Sequence, residues 1–109
     1  MNFNGFVTLN DASGDVNLLA GTSYVADLAD PDHTYTLPKA TPDNRGRVIE
    51  IQPIGLNLPT LATASGDTRS PEALAGNQWS AGVTLWLISD GDHTWTQRMM
   101  LTGGPPAST

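Results

Sequence analysis

The chain has 109 residues, no cysteine, 11 Asp and Glu against 5 Lys and Arg, and a formal net charge of −6. One domain of this size can bury a core without covalent staples. The missing cysteine excludes disulfide frameworks, thiolate zinc sites and cysteine nucleophiles, and the acidic surface opposes a phosphate backbone, so no nucleic-acid partner is expected.

Charged residues make up only 15% of the chain while Gly and Pro number 11 and 8, a strand-and-turn composition unlike the Glu- and Lys-rich surface of long helices. The opening MNFNGFVTLN lacks the basic start and apolar run of a signal peptide, and no segment reaches the ~18 apolar residues of a membrane span. Synthesis in the cytoplasm, with no membrane partner, is the expectation.

Phe6 to Leu9 reads as a first strand and Asp11 to Asp15 as a turn. Val16 to Ala20 and Ser23 to Leu28 follow as short extended pieces divided by Gly21-Thr22. Thr34 to Leu37 is a strand cut off by Pro38, and Thr41 to Arg45 is an exposed loop. Arg47 to Gln52 is the clearest central strand, with Ile49 and Ile51 on one face. Leu58 to Thr63 carries Pro59, which pushes it toward a sheet edge. Ser65 to Pro71 reads as a polar turn and Glu72 to Ala75 as one helical turn.

Thr84 to Thr96, TLWLISDGDHTWT, writes a β-hairpin: Leu85 and Leu87 alternate with Trp86 and Ile88, Ser89-Asp90-Gly91 turns the chain, and Trp95 sits on the return strand. Ile49, Ile51, Leu85 and Leu87 are the expected core. Residues 1–102 form the expected single β-domain, and residues 103–109, GGPPAST, a flexible or partner-bound tail.

DPDHTYT at Asp30 to Thr36 matches DGDHTWT at Asp90 to Thr96 in five of seven positions, sixty residues apart. Carboxylates beside an imidazole can ligate a divalent ion or orient a general base. Asp also populates turns because its carboxylate bonds nearby amides, and neither cluster has a recognised ligand spacing, so no metal and no cofactor are expected. Ser13, Ser23 and Ser65 lie in no nucleophile elbow, the glycines match no phosphate-binding fingerprint, and Arg45, Arg47, Arg69 and Arg98 are scattered. No catalytic residue is assigned and no enzyme is expected. Trp79, Trp86 and Trp95 suit a core or subunit interface, with an aromatic platform for sugar as the alternative.

YTLPKA at Tyr35 to Ala40, GRVIEIQ at Gly46 to Gln52, Gly66-Asp67-Thr68, and a strand ending in SDG before Trp95 together resemble a β-module of tailed-phage virion proteins. In that module a "tLPxA" strand, a "Gk.i.Ik" strand, a "GDtI" turn and a "vtLvSDGtnW" hairpin recur in tail fibres, head fibres and spikes. The match runs from about Thr34 to Trp95. It departs at Arg69-Ser70-Pro71, where the family has an aliphatic residue, and in the longer loop before Trp79. A short product starting at Met1 suggests a separate virion component in place of one bead of a long fibre.

The resemblance implies a non-enzymatic structural protein on the surface of a phage or a phage-like gene transfer agent, a head spike or decoration protein. The expected fold is all-β: a small antiparallel sandwich or partly closed barrel, assembling as a symmetric oligomer, a homotrimer ahead of a pentamer. The major capsid protein or another spike or fibre subunit is the expected partner, with host-surface polysaccharide as a further one. Asp90, Asp92, His93 and Trp95 are the candidate glycan contacts, combining polar groups on an exposed turn with one aromatic face. The alternatives are a tail-fibre or baseplate module and a free carbohydrate-binding module.

Overall fold

A computed structural model describes residues 6–30, 32–70 and 83–101. The chain winds back and forth between two sheets. β1 (Val7–Asn10), β3 (Ser23–Asp27) and β5 (Val48–Pro53) lie side by side in the first sheet, all parallel. β2 (Val16–Asn17), β4 (Thr34–Thr36) and β6 (Thr60–Ala62) form the second sheet, also parallel. Each turn of chain therefore places one strand in each sheet, and three turns stack.

A closing unit follows. β8 (Val83–Ser89) pairs antiparallel with β5, and β9 (Thr94–Leu101) pairs antiparallel with β8. β7 (Thr68–Ser70) then runs parallel to β9, giving the six-stranded order β1-β3-β5-β8-β9-β7.

The all-β expectation holds, but the sheets are mixed where antiparallel pairing was expected. Consecutive strands of the first three turns fall in opposite sheets, so each bonds the strand one turn away, and among the described residues only the tight Asp90–Thr94 turn joins true hairpin partners. Thr68 to Ser70, read as turn, is strand because Thr68 N–H donates to the His93 carbonyl at 2.9 Å and starts the ladder with β9. The helical turn expected at Glu72 to Ala75, Trp79 and the tail at 103–109 lie outside the described residues.

The core fills the space between the sheets in rows set by the register. Val7, Tyr24, Ile51 and Leu85 stand in line across β1, β3, β5 and β8, and Ile49 pairs with Leu87 in the parallel row. Ile49, Ile51, Leu85 and Leu87 are all buried, with Leu18, Leu28, Tyr35, Leu37 and Trp95. The alternating burial of β5, VIEIQP, reproduces the period of two read from its sequence.

Candidate functional site

The Asp90–His93 turn is built by its own side chains. The Asp90 carboxylate accepts from the amides of Asp92 (2.7 Å) and Thr94 (3.1 Å), and the Ser89 hydroxyl accepts from Gly91 N–H at 3.1 Å. Gly91 has φ +82°, and a Cβ there would lie 2.9 Å from Arg45 Cβ, so glycine is required on two counts. Arg45 Nε–H closes the other side on the Asp90 carbonyl at 3.1 Å. Asp90 is thus spent on the turn.

His93 takes the left-handed conformation, φ +65°, which carries its imidazole back across the surface. Its Nδ1 lies 3.2 Å from Asp67 Oδ1, and its Nε2 lies 3.9 Å from the exposed Asp92 carboxylate. Asp67 is buried, and its second oxygen accepts from Ala40 N–H at 2.8 Å. Ala40 in turn accepts from His93 N–H at 3.1 Å. Asp67 therefore ties three segments of chain together.

Trp95 corrects the expected glycan contact. Its side chain is wholly buried, 0% exposed, and its Nε1–H donates to the Pro38 carbonyl at 2.9 Å. No indole face is left for stacking on a sugar ring. Of the four residues expected there, Asp92 and His93 face solvent, Asp90 is engaged by backbone and Trp95 belongs to the core.

The first copy of the echoed sequence uses the same construction. His33 and His93 both offer their carbonyls to a threonine amide of a parallel neighbour, Thr60 and Thr68. Both imidazoles meet an aspartate from an earlier turn, His33 Nε2 lying 3.0 Å from Asp11 Oδ1. The aromatic two residues on, Tyr35 or Trp95, is buried. Asp11 and Asp67 were missed in the sequence because each lies more than twenty residues from its histidine.

Asp11, Asp30 and His33 bring ligand atoms within 4.8 Å of one another. Asp11 already accepts from Ala29 N–H and Asp30 N–H, both at 3.1 Å, and these backbone bonds, that of Asp30 foremost, hold its carboxyl below the usual range. His33 Nε2 meets the same carboxylate at 3.0 Å, so Asp11 already has three local partners. The cluster fastens the loop before β4 to the first turn.

A second surface feature lies on the outer face of the first sheet. Ser23, Glu50, Trp86 and Arg98 are register neighbours across β3, β5, β8 and β9. Trp86 Nε1–H donates to Glu50 Oε2 at 2.9 Å, and with Gly21, Ser23 and Val48 these two line an open groove of about 380 Å³.

No family model, curated protein or solved structure matches the chain.

Proposed function

We propose that the protein is a non-enzymatic structural component on the surface of a phage or phage-like particle, a head spike or decoration protein working as a symmetric oligomer. One observation carries the reading. The four segments that resemble the virion module meet in a single framework: Asp67 of Gly66-Asp67-Thr68 holds Ala40 and His93, Pro38 holds Trp95, and Gly46 N–H donates to the Ser89 carbonyl at 2.8 Å. Residues shared with the module thus act as joints of a scaffold and leave no arranged nucleophile and base among them.

Its work is mechanical and adhesive. The major capsid protein or another spike subunit would hold one face, and host polysaccharide would meet Asp92 and His93 on the exposed turn. Mass spectrometry and immunogold labelling of particles purified from producing bacteria test this: the chain should appear on the particle surface at fixed copy number. Recovery only from the soluble cell fraction would overturn it.

The groove beside Trp86 favours a second reading, a free carbohydrate-binding module. Glycan-array binding that disappears in Trp86→Ala and persists in Asp92→Ala would select it.

A further inference from the structure

We propose that the groove beside Trp86 is a binding site for an acidic saccharide, with one pyranose ring laid on the indole and the carboxylate of a neighbouring sugar on the Arg47 guanidinium. The inference deepens the carbohydrate-binding reading and rests on it, and it depends neither on the oligomer nor on the location in a virion.

The groove is assembled from residues that lie apart in sequence. Trp86 is half-buried on the outer face of the first sheet, and its Nε1–H is committed to Glu50 Oε2 at 2.9 Å. That bond fixes the indole edge and satisfies its one donor, so the ring can serve as an apolar surface for a sugar face. Glu50 Oε1 and the Ser23 hydroxyl make no hydrogen bond among the described residues, and they stand one and two strands from Trp86 in the same row. They supply the free acceptor and the donor that sugar hydroxyls need. Gly21 forms one end of the groove, and a Cβ there would lie 3.3 Å from Arg47 Nη1, so the absent side chain lets the guanidinium rest against the rim. Ser23 and Trp86 are two strand spacings apart, about 10 Å, which is room for two linked pyranoses.

Charge selects the occupant. Arg47 and Arg98 are exposed, and neither has an ion-pair partner among the described residues. Arg98 is the register neighbour of Trp86 on the side away from Glu50. In a chain with net charge −6, two guanidinium groups against one carboxylate give this patch the sign opposite to that of the molecule and draw in an anion. A cation would meet both arginines, and a neutral sugar would leave them unused. A carboxylate is an anion that guanidinium grips through two parallel N–H bonds. Its single charge also suits a groove that holds Glu50, against which a phosphate monoester would bring a second negative charge.

The test follows amide and indole chemical shifts of the full chain, with trigalacturonate and a hyaluronan tetrasaccharide as acidic probes and the methyl ester of trigalacturonate as the neutral one. One acid or both should move the Trp86 indole signal together with the amides of Gly21, Ser23 and Glu50. Acid binding should weaken as salt is raised, and the ester should bind about tenfold more weakly than its acid, the scale of one charge-assisted bond. Arg47→Gln should remove the difference between acid and ester, and Trp86→Ala should abolish binding of both. The wild-type shift map keeps the proposal testable if Trp86→Ala fails to fold. Equal affinity for acid and ester would overturn the acidic ligand and leave a carbohydrate module standing. Tighter binding of adenosine monophosphate would make the groove a nucleotide site and overturn the proposal. Shifts confined to Asp92 and His93 would overturn the groove and leave polysaccharide on the turn. No shift with any sugar would overturn both this site and the carbohydrate-binding reading, and recovery from particles would stand or fall separately.

Discussion

Asp67 illustrates how one side chain joins residues that the sequence keeps apart. Removing it in Asp67→Ala leaves Ala40 N–H buried without an acceptor and frees the His93 imidazole, a loss on the order of 1–3 kcal/mol. Asp67→Asn keeps an oxygen for Ala40 and should lose less; chemical denaturation of the two variants measures the difference, and equal stability of both with wild type would remove Asp67 from this role. Two other titratable groups give the fold opposite pH limits. Asp11 is held below its ordinary value by the Asp30 and Ala29 amides and by His33. Its contribution is present above the ordinary carboxylate range and is lost as pH falls through the lower folded value. Tyr35, whose hydroxyl is buried without a partner, is pushed up from 10.0 to about 12, first by burial and then by the Asp11 charge. A raised phenol is fully compatible with folding below pH 10.0 and costs stability as pH rises toward 12. Tyr35→Phe removes an unsatisfied buried hydroxyl, so its melting temperature at neutral pH should equal or exceed that of wild type, and its alkaline loss should shrink. A lower melting temperature would show that the hydroxyl has a bonding partner in solution.

At the scale of elements, β5 and the β8–β9 hairpin hold the molecule together. Ile51 lies in the row between Tyr24 and Leu85 and is fully buried, so Ile51→Ala should cost about 2–5 kcal/mol in denaturant unfolding. The hairpin turn has its own weak point. Gly91→Ala meets both a positive φ and the Arg45 side chain and should cost about 1–3 kcal/mol, more than Gly66→Ala, where φ is +85° but no atom stands within 4 Å. Thermal melts that ranked the two in reverse would rule out the Arg45 contact. These elements were legible in the sequence because their apolar alternation has a period of two and their turn residues break it sharply. Pairing was not legible. Nothing in VTLN or SYVAD specifies a parallel neighbour one turn away, since that choice follows from the connections alternating between two sheets. The same distance in sequence hid Asp11 and Asp67 as partners of the two histidines, and burial of Trp95 follows from the Pro38 segment arriving over it.

The whole molecule is an array with unequal ends. At one end β8, β9 and β7 close the stack, with Trp95 in the core and Asp67 clamping Ala40 and His93. At the other, β1 and β2 each pair on one side only among the described residues, and β2 is two residues long. Stability in stacked folds is a sum over units and their neighbours, so a terminal unit with one neighbour opens most readily. Native-state hydrogen exchange at low protein concentration should therefore show β1 and β2 amides exchanging first and those of β5, β8 and β9 last, near the global unfolding free energy. Ahead of β4, protection should concentrate at the Ala29 and Asp30 amides, because their bonds to Asp11 tie that loop to the first turn. Asp11→Ala should accordingly hasten exchange in the 29–34 segment and in β1 while leaving β8 and β9 unchanged. Chelator should change none of these rates, because amide donors and the His33 imidazole already engage the Asp11 carboxylate. Uniform exchange across all strands would show instead that the stack opens as one cooperative unit, with the hairpin cap stabilising the first turn through the shared rows of core side chains.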